Sequence, residues 1–358
     1  MAILRLPALI DPHVHMVSGH PSDWLEVATM AKRAGYAALQ IMPDLDPPIT
    51  DKLTLAYYEK LTKDLPTKLL MTAVATDQNS EDIKQLRSVS AIKLWLGTGP
   101  EDLVVTKEEQ LRQVLLSTDK IVMIHAEDEF TLIRNFSNLR APLSLEHHGQ
   151  IFDRVAAVRA TIKAITASRE TGRRIYLCHV STGEELELIR AAKAKGIRVF
   201  AEAAPHHLFL DENDLDRLGT HGKVNPPLRP REDRLALWDA IEDGTIDTIG
   251  SDTAAWYYKE KDTDYDMVPS GFANLELTLP LLLTAMTKKL ISYERIIELT
   301  STNPARIFGI TKPNWSIYAD MDRPRSVILK LSDWHPYDFE QLIGWPVLSR
   351  ETPITASS

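Results

Sequence analysis

Six side chains in this sequence have the types and surroundings needed to hold and use divalent cations. His13 and His15 flank Val14, directly after the apolar run Leu6-Pro7-Ala8-Leu9-Ile10 and the acidic Asp11. On a strand, alternate side chains share a face, so both imidazoles point one way and Val14 the other. Two convergent neutral imidazoles suit a divalent transition metal. His125 ends the run IVMIH, His179 lies in IYLCHV, and Asp252 follows TIGS. Each of these has an ordinary reading when taken alone: a strand-end histidine satisfied in the core, or an aspartate capping the next helix. Lys93 is harder to explain that way. An ammonium between Ile92 and Leu94 in an apolar strand carries a large desolvation cost unless it is paired or neutralised.

These residues need a scaffold that brings five strand ends to one rim. Eight short apolar runs supply it: Ala8-Leu9-Ile10, Ala37 to Met42, Lys68 to Ala75, Ala91 to Leu96, Ile121 to His125, Ile175 to Val180, Val199 to Ala203 and Ile246 to Ser251. Amphipathic stretches separate them. Trp24, Leu25, Val27, Ala28 and Ala31 fall at helical spacing before Gly35, and Leu186, Ile189 and Ala192 before Gly196. Apolar strands alternating with helices imply a parallel sheet covered on both faces. Eight such units predict an α/β protein of the (β/α)8 TIM-barrel type, with its site at the C-terminal ends of the strands. An open doubly wound sheet would want a glycine-rich phosphate turn, and the sequence has none. The barrel is expected over residues 1–310. Residues 311–358, rich in Pro, Asp and Trp, read as a short appendage packed on the barrel, with one strand from Ser326 to Leu331.

Composition narrows the function classes. The net charge of −9 comes with no basic cluster, which argues against a nucleic-acid partner. No apolar run approaches the ~20 residues needed to span a bilayer, so no membrane association is expected. Cys178 is the single cysteine of 358 residues, and Asp11 and His13 interrupt any secretory leader. Both features fit a cytoplasmic protein.

The motifs resemble those of the dihydroorotase family of the amidohydrolase superfamily, in the class with a carboxylated-lysine binuclear zinc site. IDPHVH resembles the opening metal motif, AIKLWLG the strand with the carboxylated lysine, and MIHAED and CHVSTGEELELIRAAKAKG the two single-histidine strands. AEAAPHHLFLDENDL, KVNPPLRPREDRLALWDAI, GSD, SGFANLELTLPLLLTAM and NPARIFGI resemble the later parts of the same barrel. The resemblance implies that His13, His15 and Asp252 hold one zinc and His125 and His179 the second. Lys93, carboxylated by CO2, would bridge them; manganese or cobalt would suit the same donors. It further implies a metal-activated hydroxide attacking a ring amide, with Asp252 as catalytic proton carrier. The family reaction interconverts N-carbamoyl-aspartate and dihydroorotate in pyrimidine biosynthesis. A homodimer is also implied.

The chain departs from the family where substrate is gripped. Val17 stands at the position of an arginine, Asp44 at that of an asparagine, and Trp256 at that of a histidine, all of which contact the substrate carboxylate in the family. Asn225 and Thr98 are further candidates for substrate contact, and His20, Arg229, Lys259 and Lys261 are candidate replacement cations. An ionised Asp44 at about 4 Å from a substrate carboxylate would add roughly 4 kcal/mol of repulsion at an effective dielectric near 20. Three readings stay open: a dihydroorotase with a rearranged carboxylate grip, a cyclic amidohydrolase acting on a hydantoin or other ureide ring, and a catalytically silent homologue serving as an assembly partner. The family's accessory β-sandwich domain is expected to be reduced or missing.

Overall fold

The computed structural model describes residues 2–16, 21–100, 103–327, 329–337 and 341–347. At its centre lie eight parallel strands: Leu9–Val14, Tyr36–Ile41, Lys68–Val74, Ala91–Leu96, Ile121–Ala126, Ile175–Leu177, Val199–Ala203 and Thr248–Ile249. Each pairs with the next in chain order, and helices fill the intervals. The result is the (β/α)8 barrel that the alternation of apolar runs implies. The first, fourth and fifth barrel strands are buried along their whole length, as strands covered on both faces must be. The outer helices turn their apolar stripes inward. Trp24, Ala28 and Ala31 of the helix Pro21–Ala34 are fully buried in the main core, as are Leu186 and Ile189 of Gly183–Ala194.

The last strand is shorter than the apolar run Ile246 to Ser251 suggests, because closure of the barrel relies on a side chain. Asp11 Oδ1 accepts from His13 N at 3.1 Å and from Ser251 N at 3.0 Å, tying the first strand to the chain beyond the eighth. Parallel bridges from Val14 to Thr253 and from Thr253 to Phe272 extend the seam. Burial pushes the Asp11 carboxyl up to about 7. Gly250 is required at this seam, since a Cβ there would meet Glu202 Oε2 at 2.2 Å.

Both chain ends join in one small antiparallel sheet. Ile3–Pro7 pairs with Ser316–Asp320, which pairs with Trp345–Val347. Leu6, Ile317 and Ala319 of this sheet belong to the main core. The strand Ile3–Pro7 had no signal in the sequence beyond a short apolar stretch.

Among the described residues, the strand expected from Ser326 to Leu331 is formed only at its start. Arg325–Ser326 pairs with Gln341–Leu342. Farther on, the amides of Lys330 and Leu331 donate to Glu276 Oε2 at 2.8 and 3.1 Å instead of to a ladder. Val327 and Leu329 pack against a second core that contains Phe272, Leu277, Leu281 and Tyr337. An apolar run thus became an irregular cover because a buried carboxylate captured its donors. Among the described residues no helix is long and apolar enough to cross a membrane.

Candidate active site

His13 and His15 leave the end of the first barrel strand on the same side, and Asp252 approaches them from beyond the eighth. The His13 and His15 Nε2 atoms are 3.2 Å apart, and each lies 3.3 Å from Asp252 Oδ1. These three side chains form a group that could hold a metal ion. Across the mouth, His125 Nδ1 and His179 Nε2 are 3.0 Å apart. Lys93 lies within the fourth strand, after His15 and before His125 in chain order, and is 1% exposed. All of these except His13 line one cavity of about 380 Å³ at the C-terminal rim. His13 lies below it, 1% exposed.

The electrostatics fit a cation site. Burial holds His13 and His179 below the ordinary imidazole range, which favours the form that offers a lone pair. Burial also opposes ionisation of Asp252, but His13, His15 and His179 outweigh it, so Asp252 is anionic. Burial lowers His15 as well, yet the adjoining Asp44 and Asp252 prevail and raise it to about 10. His15 therefore carries a proton that a metal must displace. His179 Nδ1 is buried without a partner among the described residues. Lys93 Nζ has Cys178 Sγ at 3.4 Å and the Trp95 ring at 5.3 Å, and no carboxylate pairs with it among the described residues. Converging ring nitrogens at hydrogen-bond distance, beside an anion and a buried amine with no carboxylate partner among the described residues, make a donor set suited to divalent cations.

Two backbone strains mark the same place. His179 has φ +31° and Asp252 φ +49°, in a region that L-residues avoid. Both positions aim a side chain at the rim where the strand turns away from the barrel, which is the kind of strain that clusters at functional sites.

Carboxylates behind the histidines fix their orientation. Glu202 Oε1 meets His13 Nδ1 at 2.8 Å and also accepts the His179 amide at 3.0 Å. Glu127 Oε2 meets His125 Nε2 at 2.8 Å, and Asp44 Oδ2 meets His15 Nδ1 at 2.6 Å. Such partners set the tautomer and raise ligand basicity. Sequence reasoning missed Glu202 and Glu127. The signal was present in both cases: Glu202 interrupts the buried strand VFAEA, and Glu127 follows His125 by two residues.

Residues 4–314 match the model of the amidohydrolase family. The chain belongs to that family. This amidohydrolase is 31% identical over 322 residues to a dihydroorotase of Methanosarcina mazei, a match that covers 86% of the chain and 70% of that protein. Its fold is similar to that of an L-hydantoinase (dihydropyrimidinase) from Arthrobacter aurescens, with a TM-score of 0.88 and 23% identity, over 96% of this chain and 83% of the other. An inactive dihydroorotase-like domain of a CAD-like multifunctional protein from Chaetomium thermophilum shares the fold with a TM-score of 0.72 and 20% identity, over 96% and 91% of the two chains.

The candidate substrate contacts fall out unevenly. Thr98, Asn225, Trp256 and Asp44 all line the cavity. Val17 and His20 lie outside the described residues. Arg229 is not a replacement cation: its guanidinium donates to Ser181 Oγ at 3.2 Å and Phe152 O at 2.7 Å, away from the cavity lining. Lys261 is fully buried and bonded to backbone carbonyls, and Lys259 does not reach the lining. Among the described lining residues, Lys93 is the one Lys or Arg side chain.

Asp44 has a partner besides its place in the cavity lining. Its carboxylate is engaged by His15, whose proximity outweighs burial and keeps the acid ionised below the usual carboxylate range. Asp44→Asn is therefore expected to weaken metal retention by about 10–100-fold, the usual cost of losing a partner behind a metal-ligating histidine. Metal content after dialysis against graded chelator measures this. Unchanged retention would separate Asp44 from His15 function.

Proposed function

We propose that the chain opens and closes the ring amide of a dihydropyrimidine, with dihydroorotate and N-carbamoyl-aspartate as the first pair to test. The observation that carries this reading is the meeting of the His13, His15 and Asp252 donor atoms at one rim beside the His125–His179 pair, in a cavity sized for a small ring. The relatives named dihydroorotase support the choice of ring.

His13, His15 and Asp252 would hold one divalent cation and His125 and His179 the second. Lys93 would serve both after its amine forms an N–C bond to CO2 with loss of a proton. Carboxylation turns the buried cation into an anionic ligand and removes the desolvation conflict at this position. When bound, two such cations, zinc in the reading preferred here, supply Lewis acidity and bring the pKa of a water near neutrality. The rest falls to the chain's own groups. Asp252 Oδ1 faces His13 and His15, and Oδ2, 3.9 Å from His206 Nε2, would receive a proton and return it to the leaving ring nitrogen. Trp95, Trp256 and Val224 provide apolar walls for the ring.

A second reading rests on the cavity lining. Asp44 brings a carboxylate to it and, among the described residues, Lys93 alone brings a Lys or Arg side chain. A neutral ring such as a hydantoin or dihydrouracil meets no repulsion there. The deciding experiment compares kcat/KM on dihydroorotate, hydantoin and dihydrouracil for protein shown to hold two metals per chain. Turnover of dihydroorotate at least as efficient as the neutral rings supports the first reading. Preference for a neutral ring supports the second. No turnover of any ring would make the chain a silent homologue with a role in assembly.

A further inference from the structure

Lys261 is an ammonium placed where none is expected. It is 0% exposed, and its Nζ donates to three backbone carbonyls: Lys223 O at 2.8 Å, Pro269 O at 3.0 Å and Gly271 O at 3.1 Å. The Phe272 and Trp334 rings lie 5.2 and 5.9 Å away and exclude water. Burial, and to a lesser degree Lys223, push its pKa down to about 7. Three N–H donors matched to three carbonyls are the full capacity of a lysine head group.

The carbonyls it gathers belong to the two segments that face substrate. Ser270 and Gly271 line the cavity on one side, and Val224 and Asn225 follow Lys223 on the other. Lys223 O also accepts the Gly271 amide at 3.1 Å, so the two segments meet directly at the point where Lys261 binds both. Trp256 completes the arrangement. Its indole Nε1 donates to Ser270 O at 3.0 Å, so three successive carbonyls, 269 to 271, are held alternately by Lys261 and Trp256. Gly271 has φ +113°, and a Cβ there would meet the Ala254 Cβ at 2.7 Å, so the segment can take this path only with glycine.

We propose that Lys261 is a positioning residue that clamps residues 223–225 against 269–271 and thereby sets the substrate-facing wall of the cavity. It acts on recognition and not on the cation site, whose ligands it does not touch. The inference rests on the cavity being the substrate site, but the clamp itself can be tested apart from turnover.

The test is Lys261→Met, close in length but without donors, compared with wild-type metal-loaded enzyme. The expected result is a rise in KM of about tenfold or more, with kcat and the metal content per chain little changed, since a misplaced wall removes binding shared by ground and transition states. Hydrogen exchange at the Gly271 amide is expected to quicken by about tenfold or more while exchange in the fourth and fifth barrel strands stays as in wild type. Lys261→Gln, which keeps two donors, should fall between the two. Unchanged KM and unchanged Gly271 exchange in folded Lys261→Met would overturn the clamp. Failure of both variants to fold would also overturn it, in favour of a role in stability alone. A wild-type chain that turns over none of the rings would count against the functional reading, and the exchange measurement would still decide the clamp.

Discussion

Lys93→Met is expected to abolish ring turnover and at the same time to raise the thermal stability of the metal-free chain. The two effects have one cause. The Lys93 side chain is 1% exposed, with Cys178 Sγ at 3.4 Å, the Trp95 ring at 5.3 Å and no carboxylate paired with it among the described residues. Replacing a buried amine that lacks a paired carboxylate by an apolar side chain of similar length removes a desolvation penalty, worth on the order of 1–3 kcal/mol. With metal, the same change removes the ligand proposed to serve both cations. The loss of metal affinity should exceed the ~10–100-fold that removal of a partner behind a ligand costs. Elemental analysis should find fewer than two metals per chain, and added bicarbonate should restore neither metal nor activity. Melting curves in chelator should show the variant above wild type. Two metals and full turnover in Lys93→Met would remove the bridging role.

Asp252→Asn is expected to lower kcat by about 10²–10⁴-fold, the usual contribution of a positioned proton carrier. The substitution is well suited to isolating charge from shape. Asp252 has φ +49°, and asparagine is among the few residues that accept this backbone conformation readily. An amide still offers an oxygen to the histidine side but cannot shuttle a proton. Metal content measured beside kcat separates the two roles. Retention of both metals with the expected fall in kcat would assign Asp252 chiefly to proton transfer. Loss of one metal would make ligation its larger contribution. Wild-type kcat with two metals bound would exclude Asp252 from the chemistry.

Much of the fold could be read along the chain because parallel barrel strands are simple objects. They are short, apolar and buried on both faces, so hydrophobicity alone marks them. The runs from Ala91 to Leu96 and from Val199 to Ala203 coincide with strands residue for residue. The run around Ile246 was overextended because the ladder ends where Asp11 takes the amide of Ser251, 240 residues away in sequence. The run from Ser326 to Leu331 failed for a related reason. Glu276 captured two of its amides, and no local pattern announces a carboxylate that arrives from another part of the chain.

The sequence by itself determined which side chains could do chemistry here: polar residues at strand ends stand out against apolar runs, and Lys93 within one is costly enough to demand an explanation. Tertiary structure decided what those residues meet. It gave Asp44, which also lines the cavity, His15 as its partner, revealed Glu202 and Glu127 behind His13 and His125, and took Arg229 and Lys261 out of the cavity. The physical reason is the range of the interactions. Burial and strand periodicity are written into neighbouring residues, whereas hydrogen bonds between buried polar groups depend on which distant segments the closed barrel brings within 3 Å of one another.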